Sequence, residues 1–238
     1  MSRIGVFGGM GPSATVDFMD KLVRLTPAAR DQEHLPVVVA SLPHIHDRSR
    51  SILGTGPDPL PQLLWGIDFL NKIGVGVVAI PCNSSHHWYP QMSERSEAPI
   101  IHIAQACVAA IPVDNKARVA VFGTRGALAS GFYQRALDER GIGHMVPDPE
   151  TGQAHVDDCI RAIKAGKLEE GGASLAKAFT LARAQGATAV IMGCTEIPIA
   201  ARYADAQGLQ LVDSSLELAR ATVDYALARG WNRPGWDS

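Results

Sequence analysis

Short runs of apolar residues alternate along the chain with longer segments in which apolar positions recur every three to four residues. The runs Ile4–Phe7, Val37–Ala40, Val75–Ile80, Val119–Phe122, Ala189–Met192 and Gln210–Val212 predict strands. Most are apolar at consecutive rather than alternate positions. Both faces of such strands must be covered, as in a parallel sheet sandwiched between helices. The helical period marks Ser13–Thr26, Leu60–Lys72, Phe132–Arg140, Asp157–Ala165, Glu170–Gln185 and Ser214–Arg229. Strand and helix in repetition predict a doubly wound α/β architecture. The stretch Leu42 to Pro61, rich in Pro, Gly, His and Arg, breaks the rhythm. A patternless segment of this length after a strand predicts a loop that covers a site.

The pattern also repeats. IGVFGGMGPSAT near the start is echoed by VAVFGTRGALAS, at an offset of 115 from Phe7 to Phe122. VVAIPCNSSHH is echoed by AVIMGCTEIPI, at an offset of 112 from Cys82 to Cys194. Two features in the same order at nearly equal offset predict two similar lobes. Residues 1–112 plus 213–238 are expected to form the first and residues 113–212 the second. The helix after Asp213 is expected to return and pack on the first lobe.

Composition narrows the classes of function. With 46% apolar residues in 238, the chain can bury a sizeable core, and 19% charged residues rule against disorder. A net charge of −2 without basic runs excludes a partner that must be tracked by its phosphates, so no nucleic acid is expected. The first strand begins at Ile4, leaving no room for a secretory leader, and no apolar run reaches the roughly 20 residues of a membrane span. A soluble, cytoplasmic protein without membrane partners is expected. The four cysteines, at 82, 107, 159 and 194, include no C-x-x-C pair and are expected as free thiols.

Ligands of open α/β sheets gather beyond the carboxyl ends of the strands. Cys82 and Cys194 each follow a predicted strand closely, so both are expected at that rim, where a helix dipole would lower a thiol's pKa. Packing is the ordinary fate of a free cysteine. It is the expected one for Cys107 and Cys159, which sit in helical patterns. Matching positions in two lobes favour chemistry for the other pair. Inverting a stereocentre requires a base on one face of a carbon and an acid on the other, and one thiol per lobe would supply both. Asp17 and Glu196 read equally as tuners of thiolate basicity and as surface or capping groups, and His86 as a group that orients the Cys82 turn.

Two other motifs point elsewhere and are set aside. The turn GVFGGMG lacks a G-x-G-x-x-G match, and no acidic residue closes a following strand to hold a ribose. Its glycines would instead let backbone approach a small carboxylate. The pairs His44/His46 and His86/His87 match no zinc spacing and lack an accompanying carboxylate, so no metal is expected.

The stretches GGMGPSAT, TPAARDQEH, HDRSRSILGTGPDPLPQL, PCNSSHH, IKAGKL and GCTEIPI together resemble the aspartate/glutamate racemase family, most closely its aspartate racemase branch. The resemblance runs from the first strand into the last lobe. It implies two pseudo-symmetric, doubly wound, flavodoxin-like lobes and a homodimer. It also implies racemisation of a small acidic amino acid, aspartate first, without PLP, metal or any other cofactor, with Cys82 and Cys194 as proton acceptor and donor. By the same resemblance Asn83, Ser84, Thr124 and Thr195 hold the α-amino and α-carboxylate groups. Met10 and Gly8-Gly9 line the pocket, and Arg48 and Lys164 recognise the side-chain carboxylate. Charge-assisted bonds are what a carboxylate entering a dry pocket needs. The chain departs from the branch at Ser84 and Ser85, where Thr and Ala are common, and at Ala127, where a Thr hydroxyl is often found. Arg125 has no settled counterpart. These departures leave open glutamate or broad-specificity racemisation. A maleate isomerase-like enzyme, an arylmalonate decarboxylase and a non-catalytic amino-acid sensor on the same scaffold are further alternatives.

Overall fold

The computed structural model describes residues 3–112 and 118–233. In chain order its elements are β1 (Ile4–Gly8), α1 (Pro12–Leu25), β2 (Val37–Ser41), α2 (Arg48–Ile52), α3 (Leu60–Ile73), β3 (Val77–Ala79), α4 (Tyr89–Arg95), β4 (Ile100–Ile101) and α5 (Ile103–Ala109). There follow β5 (Arg118–Gly123), α6 (Arg125–Ser130), α7 (Phe132–Asp138), β6 (Gly143–Met145), α8 (Gly152–Lys164), α9 (Leu168–Ala184), β7 (Ala189–Gly193), α10 (Ile197–Ala201), β8 (Gln210–Asp213) and α11 (Ser214–Leu227).

The strands form two four-stranded sheets, ordered β2-β1-β3-β4 and β6-β5-β7-β8, and every described pairing is parallel. The second order is the first with each strand replaced by the one four places later, so β1 corresponds to β5 and β3 to β7. This two-lobe α/β architecture is the one expected, and the echoing segments fall on corresponding strands. The six expected strands are present, with β3 trimmed to its central three residues. The structure adds two short edge strands, β4 and β6.

Each central strand is buried on both faces, which explains its continuous apolarity. Phe7, Val78 and Ile80 pack with Leu63, Ile67 and Leu70 of α3. Ile4, Val6, Val77 and Ala79 face the other way, onto Phe18 and Leu22 of α1 and Leu218, Val223 and Ala226 of α11. In the second sheet Ala120, Phe122, Val190 and Met192 meet α8 and α9, while Val119, Val121, Ala189 and Ile191 meet Cys107, Val108, Tyr133 and Leu137. Helix α11 leaves the second sheet and packs beside α1 and α5.

The stretch 42–61 is not wholly irregular. Asp47 accepts a hydrogen bond from Arg50 N at 2.9 Å and caps α2, a helix of five residues that crosses to pack on α6. Contact there is close. A Cβ on Gly126 would stand 2.7 Å from Ser49 Cα, and Gly126 N donates to Ser49 Oγ at 3.0 Å.

Candidate active site

In both sheets the strand order reverses between the two central strands, the switch point where doubly wound folds leave a crevice. The loops after β1, β3, β5 and β7 deliver Met10, Cys82, Thr124 and Cys194 to one small cavity of about 40 Å³. That cavity is lined by nine of the residues expected from the sequence, Met10, Arg48, Cys82, Asn83, Ser84, Thr124, Lys164, Cys194 and Thr195, but not by Gly8 or Gly9, whose turn positions Met10. It is also lined by Asp47, Ser49 and Glu196. Larger hollows elsewhere, such as the groove beside Trp65, Phe69 and Arg95, hold no thiol.

Backbone geometry makes room for these side chains. Gly9 follows β1 with φ of +91°, and a Cβ there would overlap Leu42 backbone at 2.2 Å. Only glycine fits that turn. Gly9 N donates to Thr15 Oγ1 at 2.8 Å, fixing the turn to α1.

The Cys82 loop is held from behind. The carbonyl of Cys82 accepts from Ser85 Oγ at 2.7 Å and faces His86 Nδ1 at 2.9 Å. His86 Nε2 accepts from Ile103 N at 3.2 Å, so the proton of the neutral ring sits on Nδ1 and donates to Cys82. Burial, reinforced by nearby His102, pushes the His86 pKa down to about 3, so the ring stays neutral. The orienting role expected for His86 is therefore built in hydrogen bonds. Asn83 is buried; its Oδ1 accepts from Tyr133 OH at 2.6 Å and its Nδ2 donates to Ser214 Oγ at 3.1 Å. Ser84 Oγ lies 3.0 Å from Thr124 Oγ1, a hydroxyl pair that joins the loops of the two sheets.

Cys194 is handled differently. Its Sγ donates to Glu196 Oε2 at 2.9 Å. Burial first, then the charge and hydrogen bond of Glu196, drive its pKa well above the ordinary thiol value, while Lys164 and the Glu196 backbone pull the other way. The expected dipole-lowered thiol is thus corrected at this position: α10, which follows it, is only five residues long, and a half-buried carboxylate neighbour outweighs any dipole. Cys107 and Cys159 are fully buried in the core. Burial, with Glu196 adding to it, pushes Cys159 up to about 12, which leaves a packed thiol inert.

Among the described residues neither cation of the cavity forms a salt bridge with a carboxylate. Arg48 Nη1 donates to the carbonyls of Ile45 and His46, both at 2.9 Å, and its buried Nε has no hydrogen-bond partner. Lys164 makes no hydrogen bond or ion pair among the described residues. Burial opposes its charge, but Glu196, Cys194, Asp47 and Cys82 together raise its pKa and keep it an ammonium. Arg125, the unsettled cation of the sequence, turns away: its Nε donates to Asp157 Oδ2 at 2.6 Å and its Nη2 to Pro149 O. Among the described residues no group of three or more His, Cys, Asp or Glu is placed to hold a metal ion.

Residues 7–222 match the family model described as Asp/Glu/Hydantoin racemase. The chain belongs to that family. The broad-specificity amino-acid racemase RacX of Bacillus subtilis is 29% identical over 94% of this chain and 98% of its own length. Among solved structures, Picrophilus torridus aspartate racemase superposes with a TM-score of 0.81 at 25% identity, covering 95% of this chain and 94% of its own. The Francisella tularensis glutamate racemase, solved with D-glutamate, shares the fold with a TM-score of 0.72 at 19% identity, over 97% and 82% of the two chains. The expected family, architecture and enzyme class all hold: the chain is an amino-acid racemase, an isomerase. No described helix is long and apolar enough to cross a membrane.

Asp47 and Ser49 were missed in the sequence because they lie in a stretch without apolar period. The one sign of order there was an Asp three residues before Arg50, a helix-capping spacing.

Proposed function

We propose that this racemase interconverts L- and D-aspartate by a two-base mechanism, without a cofactor, with Cys82 and Cys194 on opposite faces of the substrate. The observation that carries this reading is the cavity itself, where one cysteine from each lobe meets two cations that form no salt bridge among the described residues. An amino acid placed there has its side-chain carboxylate met by Arg48 and Lys164. Arg48 Nε is a buried donor that such a carboxylate would satisfy. With Asn83 Oδ1 occupied by Tyr133, the amide presents only an N–H to the ligand, suiting it to the α-carboxylate. The thiolate of one cysteine takes the α-proton, the electron pair delocalises into the α-carboxylate, and the thiol of the other returns a proton from the opposite face. The B. subtilis relative favours a second reading, broad specificity, in which aspartate is one substrate among several.

The test is incubation of L- and D-aspartate separately in D₂O. The expected outcome is α-deuteration and growth of the other enantiomer from either side; a bound amino acid that keeps its α-hydrogen would indicate a sensor instead. Cys82→Ser and Cys194→Ser should each lower interconversion by roughly 10²-fold or more, the scale of a lost acid or base. Wild-type rates in either variant would remove that cysteine from the mechanism. Arg48→Ala should reduce kcat/KM for aspartate by about 10- to 100-fold, the range of a charge-assisted bond, and affect alanine far less. Equal losses would take Arg48 out of side-chain recognition. A panel of other amino acids separates narrow from broad specificity, and sedimentation tests the homodimer that the resemblance implies.

A further inference from the structure

The lobes repeat each other, but their cysteines do not have equivalent neighbours. Counting two residues on from each thiol gives Ser84 in the first lobe and Glu196 in the second. The Glu196 carboxylate accepts the Cys194 thiol proton at 2.9 Å, whereas Cys82 Sγ makes no hydrogen bond among the described residues. Both thiols line the same cavity and are almost equally covered, at 5% and 7% exposure, so access does not distinguish them. We infer that Glu196 is a proton-placing residue that keeps Cys194 as the thiol of the pair in the resting enzyme, so that the part of first base falls to Cys82.

Coulomb's law gives the reason. Removing the Cys194 proton would put a second negative charge beside the Glu196 carboxylate in a buried setting, where like charges repel strongly. The other charged and titratable groups about the site are Lys164 and Cys159 on α8 and Asp47 and Arg48 at the start of α2. Lys164 interacts with both active thiols, so it lowers the cost of one thiolate without choosing which. Glu196 makes the choice. The resting enzyme then accepts first the enantiomer whose α-hydrogen faces Cys82. Each turnover moves that proton to Cys82 and spends the one on Cys194, so a proton must return to Cys194 before the same enantiomer is bound again.

This inference rests on the two-cysteine reading, but its test needs no substrate. The enzyme is treated with iodoacetamide at pH 7.5, and carboxamidomethylation of the peptides containing Cys82 and Cys194 is followed by mass spectrometry. In the native enzyme Cys82 should be labelled at least about tenfold faster, one pK unit of thiolate difference. Glu196→Gln should speed labelling of Cys194 by about tenfold or more and move its pH dependence down. Glu196→Asp, which keeps the charge, should leave Cys194 slow, separating charge from packing. Equal labelling in the native enzyme, or a Cys194 rate unchanged or lowered by Glu196→Gln, would overturn the inference; a lowered rate would make Glu196 the base that activates Cys194. If Glu196→Gln does not fold, the native ratio and Glu196→Asp still decide. A protein that shows this labelling bias yet racemises nothing would refute the catalytic reading alone.

Discussion

Asn83 shows how closely single side chains are specified. Its carbonyl oxygen takes the Tyr133 hydroxyl, its amide nitrogen reaches Ser214, and Ser214 Oγ donates onward to Met192 O at 2.7 Å. A first-lobe loop is thereby fastened to the second sheet. Tyr133→Phe would strand a buried acceptor at a cost of about 1–3 kcal/mol. The expected outcome is a lower urea midpoint together with a raised KM, as the Asn83 amide loses its orientation. A midpoint and KM equal to the native values would show that the link carries nothing. At this scale much of the cavity's lining was legible: Cys82 and Cys194 closely follow strands, and Asn83 and Thr195 came with the family resemblance of the stretches around them. The protonation of Cys194 was not legible, since no spacing rule says that a carboxylate two residues on will fold back onto the sulfur.

At the scale of elements, the interlock of α2 with α6 brings Arg48 to the cavity. Gly126→Ala would force Cβ against Ser49 and cost about 1–3 kcal/mol of overpacking. The strain falls on the contact between α2 and α6, so kcat/KM for a dicarboxylic amino acid should drop while the cores of the two sheets persist. Native kinetics in this variant would mean that α2 need not sit tight. The long strands and helices were readable because their apolar period is strong. Elements carrying few apolar residues were not: β4 has two residues, β6 includes Gly143 and His144, and α2 reads RSRSI. Tertiary contact, not local preference, makes these short pieces regular.

For the whole molecule, acid stability follows from the buried histidines. His86 has its pKa lowered to about 3 by burial and by His102, and His102 to about 4 by burial and by Arg135, against an ordinary value of 6.5. Below 6.5 the unfolded chain binds protons that the folded chain refuses. Their contribution is therefore intact above pH 6.5 and is lost as the pH falls toward 4. Each such group can change stability by at most about 1.4 kcal/mol per pH unit, and the partly exposed His102 by less. His86→Gln should flatten the fall of the urea midpoint between pH 6.5 and 4. An unaltered slope would assign acid sensitivity to the carboxylates. The large plan was legible at this scale too, since the echo of Phe7 in Phe122 and of Cys82 in Cys194 exposed the duplication.

The path of α11 has a consequence for synthesis. Leu218, Val223 and Ala226 cap a face of the sheet begun by Ile4 and Val6, more than two hundred residues earlier in the chain. While the ribosome works through the intervening segment, that face has no cover and must wait, open to chaperones or to other nascent chains. A polypeptide stopped just before Ser214 would keep both cysteines yet leave one side of its oldest sheet bare, and should collect in inclusion bodies.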